Sequence, residues 1–438
     1  IEENMRSLRD KEVKIYKGDV IVKKGEIIDE DAYEKMEKLN LVRGGDKIRK
    51  TIGLILSFVI ISMLLYWILK KYCRNIMESK AFYPTLITIS IINVMYIVFR
   101  NEFLIYLLPF AMIPIILTIL GNKIYALTFS FLNMIILSRE ETWFLVTIAV
   151  AIMAIYKAEK MTSRSDIVKL GISTGVFQGI MALSYGLVNQ LEFPLLLGMI
   201  VLSVLSGILT GMISLALLPY FENSFEILTD IKLLELSDFS NALLKQLLVT
   251  APGTFHHSIM VGALAESGAE AIGVNAIFAR VASYYHDIGK MKRPEFFVEN
   301  QRDGKNIHNT IKPSLSALII TSHTKDGYIM GKQNKLPKEI LDIILCHHGT
   351  TLVQFFYYKS LEKGEYVLEN DFRYSGPKPK SKEAGIIMLA DTIEAAVRVS
   401  EDKSREGIEN LIRYLIKYKL DDNQMSDSEL TLGEIEKV

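Results

Sequence analysis

Two pairs of adjacent residues in the amino-acid sequence could bind a metal, His286-Asp287 and His347-His348. All 7 histidines fall between positions 256 and 348, and none occurs in the first 255 residues. Imidazole and carboxylate together suit Fe, Mn, Zn or Ni, whereas Mg and Ca prefer sites built from oxygen alone. The histidines are therefore candidates for a transition-metal site.

The candidate ligands lie at or near the ends of predicted helices, so a helical domain that brings these ends together could assemble them into one site. They are His257, His286, Asp287, His323, His347, His348 and Asp391. Seven ligands are too many for one metal that also holds substrate, but they suit two metals roughly 3.5–4 Å apart that share a carboxylate and a hydroxide. Such a site stabilises the attacking and leaving oxygens of a displacement at phosphorus.

His256 and His308 are weaker candidates. Adjacent residues on a helix point about 100° apart, so His256 and His257 are not expected to serve one metal equally. A substrate contact and a surface or capping role both stay open for His256 and His308.

The composition of the chain excludes several other classes of protein. Lys+Arg and Asp+Glu balance at 50 each, so no overall charge favours a nucleic-acid polymer as partner. Cys73 and Cys346 are far apart and are the only cysteines, which excludes a disulfide framework or a zinc ribbon. The chain begins at Ile1 without a signal-peptide pattern, and we expect an upstream part to precede it.

Seven apolar runs predict a membrane bundle over residues 50–219. A bilayer core of roughly 30 Å needs about 20 helical residues, and several runs reach that length. The runs cover residues 51–69, 82–99, 103–120, 124–138, 142–156, 170–190 and 195–219. None of them contains Asp, Glu, Lys, Arg or His, which argues against a transport pathway, because such pathways usually place ionisable groups at mid-membrane.

The charges of the loops predict the orientation of the bundle. Basic residues concentrate in loops one, three and five, as Lys70, Lys71, Arg74 and Lys80; Lys123; and Lys157, Lys160, Arg164 and Lys169. Cytoplasmic loops carry such an excess, so we expect residues 1–49 outside the cell and the C-terminal half inside. Glycines recur at four-residue spacing at 171, 175 and 179 and at 207 and 211, which indicates close helix packing, with a homodimer seam as the alternative.

The remaining regions have a different character. Residues 1–49 predict a strand over 13–29 and a helix over 30–42, as the end of an extracytoplasmic domain. Pro219 is predicted to end the last span, and residues 220–250 form an amphipathic connector. Residues 251–438 predict an all-α domain. Helices from the connector onward are predicted over 241–249, 258–272, 275–285, 313–331, 337–348 and 381–399.

The order H…HD…H…HH…D, with HDIGK at its centre, resembles the HD-domain metallophosphohydrolases. The segments APGTFHHSIMV, YYHDIGKMKRPEFFVENQ and LPKEILDIILCHHGTTLVQFFYYK resemble more closely the seven-transmembrane HD family of PgpH-type cyclic-di-AMP phosphodiesterases. The resemblance covers essentially the whole chain. It implies an all-α protein with a seven-helix membrane bundle followed by a cytoplasmic HD domain.

The same resemblance implies two iron or manganese ions and a division of the ligands between them. One metal would be held by His257, His286 and Asp391, and the other by His323, His347 and His348. Asp287 would bridge the two metals and Lys290 would meet a phosphate oxygen.

The substrate is predicted from the residues that follow His348. The related HD-GYP proteins, which hydrolyse cyclic-di-GMP, carry a Gly-Tyr-Pro loop there, whereas this chain has GTTLVQFFYYKSLE. The departure favours hydrolysis of cyclic-di-AMP to pApA, with the aromatic residues 355–358 either stacking on adenine or packing a helix. An HD nucleotidase that acts on another nucleotide and a membrane receptor that binds a nucleotide without turnover are the alternatives.

Overall fold

The computed structural model describes residues 15, 18–39, 41, 45–98, 104–137, 141–301 and 306–438. It divides into two compact units, residues 1–71 and 72–438. These described residues form helices and turns without any strand, and the only pairing of extended backbone among them is an isolated bridge between Leu352 and Arg373. The prediction of an all-α protein is therefore confirmed.

The first unit contains the short helix α1 (Glu30–Lys38) and nearly all of α2 (Gly45–Tyr72). The Asp29 side chain accepts a hydrogen bond from the Ala32 amide at 2.7 Å, which caps the start of α1. The strand predicted over 13–29 is wrong for residues 18–29, which form turns and irregular backbone, and its earlier part falls largely outside the described residues. Positive φ angles of 111° at Gly18 and 99° at Gly25 are incompatible with a regular strand.

The second unit begins with helices of the membrane region. These are α3 (Arg74–Met77), α4 (Phe82–Val98), a 3₁₀ turn (Leu104–Leu107), α5 (Met112–Leu120), α6 (Lys123–Leu137), α7 (Glu141–Ala158), α8 (Arg164–Val188) and α9 (Phe193–Ser224). By length and composition, 3 helices among the described residues could cross a membrane, in α2, α8 and α9. Four shorter apolar segments accompany them, Phe82–Val98, Leu104–Leu120, Lys123–Ile135 and Trp143–Ala158. Seven spans thus remain a proposal.

Near Pro109 and Pro219, the helix bounds of this region differ from those predicted from the sequence. The run 103–120 is not one helix, because backbone sterics disfavour α geometry before Pro109 and the chain changes from a 3₁₀ turn to α5 there. Pro219 lies inside α9, which continues to Ser224, so the prediction that Pro219 ends the span is wrong. The extra turn is held by burial of Phe221 and by the ion pair of Glu222 with Arg164.

The glycine rows pack α8 against α9. A Cβ added to Gly207 would lie 2.2 Å from the Cα of Gly175, and one added to Gly171 would lie 2.6 Å from the Cα of Gly211. Only glycine allows backbones to approach this closely. The spacing is therefore explained by the packing of α8 against α9 within one chain.

The C-terminal part of the second unit is a helical domain. Its helices are α10 (Asp230–Leu236), α11 (Ala242–Thr250), α12 (Pro252–Ile272), α13 (Ala276–Tyr285), α14 (Pro313–Gln333), α15 (Lys338–Cys346), α16 (Gln354–Glu362), α17 (Lys382–Val399), α18 (Arg405–Asp421) and α19 (Leu432–Ile435). Five 3₁₀ turns join them, Ile288–Lys292, Pro294–Phe296, Val298–Asn300, Ile307–Asn309 and Glu369–Phe372. The main core is apolar and is formed by α10 to α13 with α15 and α17. This core fixes the ends and faces that carry the candidate ligands.

The loops predicted to be basic lie at the end of the membrane region that faces this helical domain. Residues 79–81 of the first loop share a cavity of about 910 Å³ with Cys346 and Ala384. Lys123, at the third loop, and Glu159, at the fifth, share one of about 590 Å³ with Asn275. Residues 79–81, Lys123 and Glu159, which belong to loops one, three and five, therefore lie on the same side of the second unit as the helical domain.

Candidate metal centre

The structure brings all seven predicted ligands together, but not all of them at helix ends. His286 and Asp287 directly follow α13, and His347 and His348 directly follow α15. His257 lies in the second turn of α12, and His323 and Asp391 lie in the middle of α14 and α17. The prediction that every ligand sits at or near a helix end is therefore wrong for the last two, which reach the site from helix faces turned toward the core.

Asp287 lies at the centre of the cluster. Its Oδ1 is 3.1 Å from His323 Nε2 and 3.6 Å from His347 Nε2. Its Oδ2 is 3.2 Å from His286 Nε2 and 3.5 Å from His257 Nε2. The two oxygens thus face different sets of histidines, which is the arrangement a carboxylate needs to bridge two metals.

Asp391 closes the site from α17. Its Oδ1 is 3.0 Å from His257 Nε2 and 3.7 Å from His286 Nε2, and its Oδ2 is 3.4 Å from His348 Nδ1. Two groups of four residues have ligand atoms within 4.8 Å of one another, His257 with His286, Asp287 and Asp391, and Asp287 with His323, His347 and His348. Asp287 is the member that both groups share.

Hydrogen bonds on the outer side of the imidazoles orient the nitrogens. The Nδ1 atoms of His286, His323 and His347 lie 2.6, 2.5 and 2.9 Å from backbone carbonyl oxygens of their own helices. His257 Nδ1 contacts the carboxylate of Glu394. Because an acceptor at Nδ1 requires a proton there, Nε2 is the nitrogen left to coordinate a metal at the centre, as in metal-ligating histidines.

The centre of the cluster contains polar atoms without hydrogen bonds. Asp287 and His286 are buried, and neither Asp287 carboxylate oxygen nor His286 Nε2 has a hydrogen bond of acceptable geometry, although charged groups lie within 4 Å. Buried groups of this kind are costly unless something coordinates them. Their convergence fits a site for divalent metals, and both groups of four residues are able to hold one.

Lys290 supplies the positive charge beside the bridge. Its Nζ lies 2.5 Å from Asp287 Oδ2 and 3.0 Å from Glu299 Oε1. Burial alone would raise the pKa of Asp287, but Lys290 and His286 reverse the effect and hold that pKa well below its usual range. Burial likewise opposes the charge of Lys290, yet Asp287 and Glu299 raise its pKa. Both groups are therefore ionised at neutral pH.

The histidines divide by electrostatic environment. Burial disfavours the charged form of His286, but Asp287 and Asp391 outweigh it and raise its pKa to about 10. Burial lowers the pKa of His347 to about 4, and burial is also the main cause that lowers the pKa of His348 well below its usual value. His347 and His348 of the second group thus present neutral imidazoles, whereas a metal at the first group must displace a proton from His286.

Three residues near the ligands were not predicted from the sequence. Glu394 contacts His257, Glu299 contacts Lys290, and the ring of Tyr374 lies 4.3 Å from that of His348 at an angle of 33°. Glu394 follows Asp391 by three residues, a spacing that places both on one helix face, and this signal could have identified it. Nothing near Glu299 or Tyr374 in the sequence indicates their position.

The weaker candidates lie apart from the ligand atoms. His256 is exposed, whereas His308 is buried and its Nε2 lies 2.8 Å from the Phe296 carbonyl oxygen. Phe356 packs against His308 with ring centroids 4.9 Å apart, and Phe355 is 64% exposed. His308 therefore bonds the turn Pro294–Phe296 and packs on Phe356, and neither His256 nor His308 belongs to either group of four ligands.

We expect Glu394→Gln to weaken metal binding at the group that contains His257. The amide keeps the size of the side chain but removes the charge that orients and polarises His257, and such a loss typically lowers metal affinity about 10- to 100-fold. Calorimetric titration of the metal-free full chain with Mn²⁺ measures the metal affinity of each variant. Glu362→Gln, at an exposed position on α16, is the matched control, and equal affinities in both variants would contradict the assigned role of Glu394.

Comparison with protein-family models gives three consecutive matches along the chain. Residues 1–43 match a model described as 7TM-HD extracellular, and residues 48–229 match a 7TM receptor with intracellular HD hydrolase. Residues 254–396 match an HD domain. The order of the matches is the order of the three regions predicted from the sequence.

Curated and solved proteins show similarity along the same regions. The cyclic-di-AMP phosphodiesterase PgpH of Bacillus subtilis is 36% identical over 449 residues, covering 98% of this chain and 63% of that protein. PgpH of Listeria monocytogenes is 35% identical over 441 residues, covering 97% of this chain and 61% of that protein. The chain thus spans less than two thirds of these relatives. The crystal structure of the Listeria PgpH HD domain is 48% identical, covers 45% of this chain and 93% of that one, and has a TM-score of 0.43.

Proposed function

Because the chain belongs to the family of 7TM membrane proteins with an intracellular HD hydrolase domain, we propose that it is a metal-dependent phosphodiesterase that hydrolyses cyclic-di-AMP to the linear dinucleotide pApA. The observation that carries the proposal is the position of Asp287. Each of its oxygens faces one pair of histidines within 3.6 Å. A site shared by two metals in this way is suited to attack on a phosphodiester.

The proposed ligands are divided between two metals in the same way as the residues are divided between the two groups. His257, His286 and Asp391 would hold one metal, His323, His347 and His348 the other, and Asp287 would contact both. When bound, such metals lower the pKa of water and offset charge on phosphoryl oxygens. Iron or manganese is proposed, because ligands mixed from imidazole and carboxylate suit these ions.

Lys290 is proposed to bind a phosphate oxygen. An ammonium group has three N–H donors, and Asp287 and Glu299 accept from at most two of them in this structure. The third donor can therefore contact an anionic substrate without loss of either ion pair. Glu299 holds the lysine in position and Asp287 keeps it charged.

Cyclic-di-AMP is proposed as substrate on two grounds. The curated relatives that match nearly the whole chain are named cyclic-di-AMP phosphodiesterases. The segment after His348 lacks the Gly-Tyr-Pro loop of cyclic-di-GMP hydrolases. Phe356 faces His308 rather than open space, so adenine stacking on Phe356 is not part of the proposal.

A seven-span membrane protein with the HD domain in the cytoplasm and residues 1–49 outside is the proposed topology. Loops one, three and five carry the basic residues and share cavities with the helical domain. Excess basic charge is typical of cytoplasmic loops, so this supports a cytoplasmic HD domain. The regions 1–49, 50–219, 220–250 and 251–438 are the proposed domains.

Regulation through the membrane region is supported by direct bonds to the connector. Arg164 at the start of α8 pairs with Glu222 at 2.6 Å and with Glu235 of α10 at 2.6 Å. The carbonyl oxygen of Leu236, at the end of α10, accepts a hydrogen bond of 2.6 Å from the hydroxyl of Tyr285. Tyr285 directly precedes His286, so a displacement of α8 has a bonded route to the site.

The proposal is tested with the full chain purified in lipid nanodiscs and loaded with Mn²⁺ or Fe²⁺. Cyclic-di-AMP, cyclic-di-GMP and mononucleotides are assayed side by side, and pApA is expected from cyclic-di-AMP alone. Preference for a mononucleotide would support the nucleotidase alternative, and tight binding without turnover would support the receptor. Identical turnover in nanodiscs and in detergent would indicate that the bundle only anchors the enzyme.

A further inference from the structure

Tyr374 packs directly against the second group of ligands. Its ring centroid lies 4.3 Å from that of His348 with the planes tilted by 33°, and 5.9 Å from that of His323 at 86°. Tyr374 is half-buried, so part of its side chain stays open to solvent. The ring therefore lies at the accessible side of the candidate metal centre.

The backbone that carries Tyr374 is held on both sides. The preceding Arg373 makes two bonds to the carboxylate of Asp422, at 3.0 and 3.2 Å, and donates to the Thr350 carbonyl oxygen at 2.8 Å. The Tyr374 amide donates to the Thr351 carbonyl oxygen at 3.1 Å. Bonds of this kind fix the direction of the side chain before any substrate binds, which is the requirement for a preorganised contact.

The phenol hydroxyl has no hydrogen-bond partner within the part of the chain that the structure describes. A buried tyrosine hydroxyl usually finds a partner in the protein, whereas the hydroxyl of a half-buried tyrosine can bond water or a ligand. Here the electrostatic surroundings of the phenol comprise Lys290, Asp287, Asp391 and Glu299, which are the charged groups of the site. The hydroxyl is thus an available donor within electrostatic reach of the charged groups of the candidate metal centre.

We propose that the Tyr374 hydroxyl donates a hydrogen bond to a non-bridging oxygen of the scissile phosphodiester. The inference rests on the proposed function and deepens it, since it adds a neutral donor to the cationic contacts of Lys290 and the metals. Its ring packs on His348, which limits the movement of the side chain beside the site. A donor that is already oriented stabilises charge that develops in the transition state without reorganisation.

Tyr374→Phe removes the hydroxyl but keeps the ring that packs on His348, so it tests the contribution of the hydroxyl alone. The full chain is studied in nanodiscs with Mn²⁺, and Tyr366→Phe, at a position that is 96% exposed, is the matched control. Bis(p-nitrophenyl) phosphate is hydrolysed alongside cyclic-di-AMP, since it reports on phosphodiester chemistry whatever the natural nucleotide is. We expect kcat for both to fall roughly 10- to 100-fold in Tyr374→Phe, with unchanged Mn²⁺ content.

Two results would overturn the assignment. Turnover within twofold of wild type would leave only the packing role, and loss of bound Mn²⁺ would show that the hydroxyl supports the ligands instead of the substrate. If wild type hydrolyses bis(p-nitrophenyl) phosphate but not cyclic-di-AMP, the proposed substrate fails while the Tyr374 comparison still holds. If neither is hydrolysed, calorimetry with inorganic phosphate decides, and about tenfold weaker binding to Tyr374→Phe is the expected result.

Discussion

Asp287→Ala is expected to abolish phosphodiester hydrolysis and to remove the ability of the chain to bind metal at either group. The substitution deletes the one carboxylate whose oxygens lie within 3.6 Å of four histidines. It also leaves Lys290 buried with Glu299 as its remaining close carboxylate partner. Because both halves of the site lose the same ligand, we expect turnover to fall by at least about 10³-fold.

Metal content of the purified full chain and turnover of cyclic-di-AMP are the two measurements. Breaking a buried ion pair typically costs about 3–5 kcal/mol, so thermal unfolding must be followed as well. Asp287→Asn keeps the size of the side chain and serves as a second variant if Asp287→Ala does not fold. Asp421→Ala, at an exposed position on α18, is the control. Full activity or full metal loading in Asp287→Asn would refute the bridging role.

The ligand residues could be predicted from the sequence because their chemical types are unusual. Buried histidines paired with carboxylates have few roles other than metal binding, and helix periodicity predicts the elements that carry them. His347 and His348 show what periodicity leaves out. Consecutive residues on a helix diverge by about 100°, yet both join one group of ligands because α15 ends at Cys346 and the backbone turns.

Contacts made by single side chains across distant segments were not predictable. Tyr374 reaches His348 from backbone that is held by the bonds of Arg373 to Thr350 and Asp422, and these partners lie 23 and 49 positions from Arg373 in sequence. Glu299 approaches Lys290 through a series of 3₁₀ turns for which no sequence period exists. The prediction that the last span ends at Pro219 is wrong for the same reason. The ion pair between Arg164 and Glu222, which supports the continuation of α9, is a tertiary contact.

Gly289→Ala is expected to separate the two groups of ligands while every ligand residue is retained. Gly289 lies in the 3₁₀ turn that follows Asp287, and a Cβ added there would be 1.9 Å from the His323 carbonyl oxygen and 2.5 Å from the Gly327 amide nitrogen. Both are backbone atoms of α14 and cannot rotate away. Since a Cβ is essentially never found closer than 3.0 Å to another heavy atom, α14 would have to move by more than roughly 1 Å.

Such a movement changes the distance between Asp287, the proposed bridge, and its histidine partner on α14. His323 is on α14 and its Nε2 lies 3.1 Å from Asp287 Oδ1, so a shift of α14 away from Gly289 draws one ligand of the second group away from Asp287. Misplacement by about 1 Å can reduce catalysis roughly 10²-fold, and overpacking typically lowers the free energy of unfolding by about 1–3 kcal/mol. We therefore expect about 10²-fold lower turnover, and a larger loss of metal at the second group than at the first.

Stepwise titration with Mn²⁺ distinguishes this effect from general destabilisation, because only one of two binding events should weaken. Gly433→Ala provides the control, since an added Cβ there meets nothing within 4 Å. That variant is expected to keep both binding events and full turnover. If Gly289→Ala binds two Mn²⁺ ions as tightly as wild type, the glycine of HDIGK has no role in the spacing of the groups. If both events weaken equally, the substitution acts through the fold, and the close contact with α14 is not what sets the bridge.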